Sequence, residues 1–598
     1  MKFDFWKELN RELDEAWREL RFAWRRAWVG LRNALRRARP GRLDYVVLPL
    51  SGPLPERSGP PRGFWQRRFL PPEPVSLQQL NGWLRAIADA DNVKGVVFVL
   101  GRLSPAGLAT VQNLRRSLQR LREAGKEAIV FTPNLDLTHY YVASAGSRIV
   151  VPPSAQFELL GLRVEAVFLK EALARAGVEA DILQISPYKT AGNMFDKAEM
   201  TPEQREQLSW LLDDNYEHLS ADIAADRELD QATVQGLVDR GPLTAAEALE
   251  AGLVDDLAYE DELPFLLYDG DGAAAADSPE GEAAGEEKRP RARLRSWSRA
   301  GPLLMEKARL PLGRFVGVVS LEGMIVAGES QQPPIDLPLP FVGGLVAGHE
   351  TINRLLRRAE RNKRMAALIL HVDSGGGSAL ASDLIWRQLQ RVARKKPVLV
   401  YMGNVAASGG YYAGAAAQHI MCQPLTLTGS IGVLAGRFNT DGLYERLHVT
   451  RTVLSRGKHA TLYSDVGPLE PGERELLWKT ISTVYDQFLE VVATGRDLSR
   501  EQLEAVAGGR VWTGRQAIAH HLADSHGDFV DAVEKVAGLA EIRVAAHQML
   551  PVANLHGPGG GFRLPLPFRP SDYGALVETY RRLYQQALLL FPLHLRWY

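Results

Sequence analysis

A set of tryptophans and leucines in the first 39 positions falls at Trp6, Leu9, Leu13, Trp17, Leu20, Trp24, Trp28, Leu31 and Leu35, always three or four apart. That spacing keeps one straight apolar stripe on a helix and predicts a long amphipathic helix over 1–40, closed by Pro40-Gly41. Its acidic residues come early (Asp4, Glu8, Glu12) and its arginines late (Arg25, Arg32, Arg36). Tryptophan on one face with arginine on another suits a helix lying on a membrane surface. The same stripe suits packing against protein, including further copies of the chain.

Beyond Leu43 the pattern changes to short apolar runs alternating with helical stretches. Val93–Leu100, a helix near 105–124 and Glu127–Phe131 are followed much later by Ala366–Val372, a helix near 379–395 and Val398–Tyr401. Strand–helix–strand alternation predicts α/β units with parallel strands. The two sets are copies. An offset of 271 carries Gly52 onto Gly323, Tyr140-Tyr141 onto Tyr411-Tyr412 and Gly161 onto Gly432. After a two-residue slip, an offset of 269 carries Lys189 onto Lys458, Thr244 onto Thr513 and Asp255 onto Asp524. The organisation read from this is a helix over 1–40, a first repeat over 43–267, a low-complexity linker over 268–300, a second repeat over 313–540 and an extension over 541–598. The extension carries Leu576, Tyr580, Leu583, Leu588 and Phe591 at spacings that suggest another amphipathic helix.

Composition narrows the function only a little. Lys plus Arg and Asp plus Glu are 71 each, which gives no footing for nucleic acid. One cysteine, Cys422, excludes an internal disulfide framework. No run is apolar enough for a transmembrane helix or a signal-peptide core, and no metal or cofactor motif stands out.

Candidate chemistry centres on Ser408 in Gly403-Asn-Val-Ala-Ala-Ser-Gly-Gly-Tyr-Tyr412, behind the apolar strand Pro397–Met402 and ahead of a helix expected over Gly409–Gln418. A serine on such a turn either caps the helix or serves as a nucleophile beside free backbone N–H groups. A second glycine turn, Asp373-Ser-Gly-Gly-Gly-Ser378, follows the neighbouring strand, and two such turns meet at the carboxyl edge of a parallel sheet. The first repeat has Arg102 and Leu137 at the matching columns, so only the second holds the serine. His371, His419 and His459 lack a motif that nominates them as a base. A lysine made neutral by burial is the alternative, and Lys189 in Ser186-Pro-Tyr-Lys-Thr-Ala-Gly192 is a candidate.

Through Ala406–Tyr412, Leu427-Thr-Gly-Ser-Ile-Gly432, Ser374–Ser378, Val511-Trp-Thr-Gly514 and Tyr188–Ala191, the chain resembles the long, two-repeat form of the SppA signal peptide peptidase (protease IV) family. The resemblance implies two tandem Clp-protease/crotonase-like α/β domains. It implies a serine peptidase with Ser408 as nucleophile and Lys189, from the other repeat, as base. It further implies an oxyanion hole of Gly409, Gly376 and Gly377, and Ser430 orienting the lysine. Lys458, fifty residues past Ser408, stands as the alternative base. Expected partners are apolar peptides such as cleaved signal peptides, bound as an added strand. The family pattern also implies peripheral association with a bacterial cell membrane and a homo-oligomer, a tetramer by resemblance. Gly375 replaces the family's usual proline and Asp373 its frequent asparagine, which suggests a looser turn with a carboxylate near the hole. Rival readings are a decayed scaffold without an activated serine and a crotonase-type acyl-CoA enzyme.

Overall fold

The computed structural model describes residues 5–38, 43–63, 68, 72–103, 107–268, 290–331, 345–557 and 588–590. Helix α1 (Phe5–Ala38) leads the chain. It is fastened through its polar side, where Arg32 and Arg36 pair with Glu306 at 3.0 and 2.8 Å and Arg36 also donates to the carbonyl of Leu304. The stripe read from the sequence faces away: Trp17, Leu20, Trp24, Trp28, Leu31 and Leu35 are exposed, with Trp24 and Trp28 stacked 6.3 Å apart.

The first domain is built on β1 (Tyr45–Gly52), β2 (Gly95–Leu103), β3 (Glu127–Phe131) and β4 (Arg148–Val151), parallel neighbours in that order. Most of their β-branched residues are buried, with Val47 and Val99 half-buried, as the crossover helix α2 (Leu108–Glu123) requires when it covers one face. Leu294–Ser296 adds a further parallel strand beside β1. The stretch 290–300 was expected to be linker, but it belongs to this domain. Buried Ala292 and Ala300, and Trp297 stacked on Trp83 at 5.0 Å, give it an apolar anchor that its basic composition hides. Of the linker expected over 268–300, residues 269–289 lie outside the described residues. Strand β5 (Glu179–Gln184) leaves this sheet altogether, and α3 (Pro202–Arg227) follows it.

The second domain repeats the plan. Strands β6 (Phe315–Glu322), β7 (Met365–Ser374), β9 (Val398–Ala407) and β10 (His419–Cys422) are parallel neighbours in sequence, and Val552–Asn554 closes the edge beside β6. The C-terminal extension expected from 541 therefore begins inside this domain. Equivalent hydrogen bonds confirm the duplication: Tyr140 donates to the carbonyl of Leu253 and Tyr411 to that of Leu522, both at 2.8 Å. Arg227 grips Asp255 as Arg496 grips Asp524.

A third sheet joins the halves. Its order is Val346–Gly348, Met324–Val326, β8 (Gly376–Ser378), β12 (Leu588–Leu590), β11 (Leu434–Asn439) and β5. The first repeat's β5 pairs antiparallel with the second repeat's β11 from Gln184↔Leu434 to Glu179↔Asn439. Leu588–Leu590, within the stretch expected to be helical, is a strand; the rest of that expected helix lies outside the described residues.

Candidate active site

Ser408 follows the last residue of β9, Ala407, and precedes the short helix α4 (Gly409–Gly414). That helix stops four residues earlier than its alanine content suggests, because the chain must return to β10, which starts at His419 opposite Leu399. Ser408 sits at φ 53°, ψ −118°, a combination that L-residues rarely adopt. Such strain costs about 1–3 kcal/mol and persists only where surroundings over-determine it. Here the Ser408 N–H donates to the carbonyl of Gly429 at 2.8 Å, and its own carbonyl accepts from Tyr412 N–H at 2.9 Å. The backbone is thus pinned at both ends while the hydroxyl points into the protein.

Lys189 arrives from the first repeat, five residues after the end of β5, which hands the chain to the second domain. It is fully buried, and its Nζ lies 2.7 Å from Ser408 Oγ, 2.8 Å from the Ser430 carbonyl and 2.9 Å from Ser430 Oγ. Burial holds its pKa well below the ordinary lysine value, and no carboxylate offsets the effect. The three oxygen contacts suit both protonation states: an ammonium donates all three hydrogens, while a neutral amine donates two to Ser430 and offers its lone pair to the Ser408 hydroxyl proton. Ser430 itself is held at φ 49° with its N–H on the Arg510 carbonyl at 2.6 Å.

Two glycines make room for this lysine: Gly432, already part of the Leu427–Gly432 motif, and Gly509, which the sequence reading missed. A Cβ on Gly509 would stand 2.5 Å from Lys189 N and 2.6 Å from its Cα, and Gly509 is at φ +85°. Gly432 passes 3.2 Å from the lysine Cδ by the same measure. The pair Gly508-Gly509 was the available signal, but nothing local ties it to a lysine some 320 positions away. An aromatic clamp adds rigidity across the repeats. Tyr188 packs on Trp210 at 5.9 Å, Trp210 on Trp512 at 5.1 Å, and Trp210 Nε1 donates to the Val511 carbonyl at 2.9 Å.

The glycine turn of β7–β8 lies against the start of α4. A Cβ on Gly409 would meet Ser382 Oγ at 2.5 Å and the backbone N of Gly377 at 3.2 Å. Gly376 and Gly377 hold φ of 102° and 153°, so the turn depends on glycine at both. Gly376, expected to serve an oxyanion, has its N–H on Ser374 Oγ at 3.1 Å; Gly377 and Gly409 are the pair without that side-chain engagement. The carboxylate of Asp373, expected near the hole, turns into the interior instead. It accepts from Val405 N–H at 3.1 Å and from Asn404 Nδ2 at 3.2 Å. Ser374 Oγ donates to the Gly323 carbonyl at 2.6 Å and steadies the turn in which Gly375 stands where the family usually has proline.

Lys458 is exposed and does not approach the serine. The histidines are elsewhere too: His371 lies between Glu56 and Glu322, and His419 is 2.8 Å from Ser525 Oγ.

Two tandem α/β domains, the second presenting a strained serine at a strand–helix turn beside a glycine turn, define the class of scaffold. The chain belongs to peptidase family S49, whose family model matches residues 120–267 and 390–543. It is similar to the chloroplastic serine protease SPPA of Arabidopsis thaliana, with 32% identity over 77% of this chain and 65% of that protein, just under two thirds of its length. Protease 4 of Salmonella typhi is 30% identical over 78% of this chain and 72% of its own. Among solved structures, ClpP1 from Listeria monocytogenes shares 15% identity over 36% of this chain and 94% of that one, with a TM-score of 0.22. No helix among the described residues is long and apolar enough to cross a membrane.

Proposed function

We propose that this chain is an endopeptidase working through a Ser408/Lys189 dyad on apolar peptides such as cleaved signal peptides. The observation that carries it is the 2.7 Å contact between a fully buried lysine and a strained serine supplied by different repeats. Neutral Lys189 takes the Oγ proton as Ser408 attacks the peptide carbonyl, and Ser430 holds the amine in line. The N–H groups of Gly409 and Gly377 receive the developing oxyanion. The protonated lysine then donates to the leaving amine, and water, deprotonated by the same lysine, releases the acyl group.

Extended binding of substrate is supported by β12, whose three leucines lie as a strand between β8 and β11. In the structure the chain's own Leu588–Leu590 fills that place, and a substrate would pair there in its stead. The exposed tryptophans of α1, with Arg21, Arg25 and Arg32 alongside, support docking on an anionic membrane surface. Assembly into a homo-oligomer, a tetramer by family resemblance, completes the reading.

Labelling with a fluorophosphonate probe, beside hydrolysis of a leucine-rich peptide, tests the dyad. The parent protein is expected to react in both assays and Ser408→Ala in neither. Undiminished hydrolysis by Ser408→Ala overturns the assignment.

A further inference from the structure

Strand β9 does not run straight to Ser408. Its pairing with β7 goes from Val372↔Met402 directly to Ser374↔Ala406, so Gly403, Asn404 and Val405 bulge opposite the single residue Asp373. A bulge re-aims the strand beyond it and frees backbone groups from the ladder. The Asp373 carboxylate fills that gap, accepting Val405 N–H on one oxygen and Asn404 Nδ2 on the other. Asn404 in turn accepts from Thr110 N–H at 2.9 Å and donates to Thr110 Oγ1 at 2.8 Å. Thr110 stands in the first turn of α2, whose own cap residue Gly107 offers no side chain, so the second repeat caps a helix of the first. One residue past Asp373 begins the turn that carries Gly376 and Gly377.

We propose that Asp373 is a positioning residue for the reaction, fixing the bulge that aims Ser408 and holding the nucleophile strand, the glycine turn and the lysine-bearing repeat in one register. The inference rests on the Ser408/Lys189 reading above. Gly403 shows how tight the lock is: a Cβ there would lie 3.2 Å from both Asp373 Cγ and His371 Nε2. The lock also titrates. Burial, the largest influence, pushes Asp373 up to about 6, with Glu56 acting in the same direction and His371, Val405 N–H and Asn404 opposing. The other charged or titratable groups around it are Arg57, Glu322 and Tyr401, which stacks on His371. Protonation turns one acceptor oxygen into a donor facing the Asn404 amide, so the bulge loses a bond as pH falls through about 6.

The test compares Asp373→Ala, Asp373→Asn and Asn404→Ala for kcat, KM and the pH profile of kcat/KM on a leucine-rich peptide, with thermal melting as a fold control. Asp373→Ala is expected to lower kcat by roughly tenfold to a hundredfold with KM nearly unchanged, the size of effect that small misplacements of reacting groups produce. Asp373→Asn keeps an acceptor for Val405 N–H and restores most of that loss near neutral pH. As pH falls through about 6 the parent profile shows an additional partial drop from the lost bond, which Asp373→Asn, fixed in its neutral form, lacks. Asn404→Ala, which leaves the carboxylate in place, is expected to give a smaller fall in kcat and covers the case in which Asp373→Ala does not fold. A folded Asp373→Ala with parental kcat, or an Asp373→Asn profile identical to the parent's, overturns the proposal. Activity persisting in Ser408→Ala instead overturns the dyad on which it rests.

Discussion

Lys189 and Ser408 are 219 positions apart and belong to different copies of a duplicated domain, yet Nζ and Oγ stand 2.7 Å from each other in a site closed to solvent. Neither half of the chain holds both groups. The contact exists because β5 crosses out of the first sheet and pairs with β11 of the second.

The first prediction separates the two lysines. Lys189→Ala is expected to lower kcat/KM by at least about a thousandfold, the upper range for loss of a positioned general base. Lys189→Arg fares no better, because a guanidinium stays protonated and cannot accept the Ser408 proton. Lys458→Ala retains parental activity, since that side chain is exposed and remote. Steady-state kinetics on one peptide decides all three.

Stability should follow the lysine's protonation. Its folded pKa lies well below the unfolded value of about 10.5, so between those two values the unfolded chain binds more protons than the native one. Stability contributed by this group therefore rises with pH across that window. Lys189→Met removes the buried amine and is expected to melt higher than the parent at pH 7, with the gap shrinking as pH approaches 10. A melting series that shows a constant or growing gap contradicts the neutral, desolvated lysine. Activity follows the same sign, increasing with pH through the depressed lysine pKa.

Gly409 leaves no space for a methyl group between Ser382 Oγ and Gly377 N. Gly409→Ala is expected to separate the two glycine turns and reduce kcat about a hundredfold, comparable to removing one oxyanion donor. Because the damage lies at the hole, binding of an uncleavable extended peptide should change little, which isothermal titration measures.

Gly509→Ala strikes from the other side. At φ +85°, with the Lys189 backbone 2.5 Å from the new Cβ, the substitution must displace the lysine. Loss of fluorophosphonate labelling together with a lower melting temperature is expected; unchanged labelling would show that the cradle is not needed.

The exposed stripe of α1 gives a separate readout. Replacing Trp17, Trp24 and Trp28 with Ala is expected to abolish flotation with vesicles rich in anionic lipid while leaving peptide hydrolysis in solution intact. A change in oligomer mass with flotation unaltered assigns the stripe to contact between copies.

Periodicity in the sequence is enough to read both sheets, since strands buried on two faces show as near-continuous apolar runs such as Ala366–Val372, interrupted only by His371. The duplication is legible because offsets preserve paired features, among them Tyr140 and Tyr411, whose hydroxyls make matching bonds. Ser408 stands out by its flanking glycines. Lys189 was nominated by family resemblance, as burial of a single lysine leaves no local pattern. What stays hidden depends on distant neighbours. Trp297 needs Trp83 before 290–300 becomes part of a domain, and Gly509 means nothing without the lysine beside it. The inward turn of Asp373 depends on a bulge, and bulges leave no hydrophobic signature.

The strand β12 has one further consequence. It runs antiparallel to β8 on one side and to β11 on the other, so those two borders of the cleft point the same way. A chain that took the place of β12 with the same pairing would travel in the opposite sense to both. On the proposed reading, the order in which its residues pass Ser408 would then be set by backbone polarity. Such a cleft would distinguish head from tail before any side chain is read, and a sequence presented in reverse would be a different ligand even when its composition is the same.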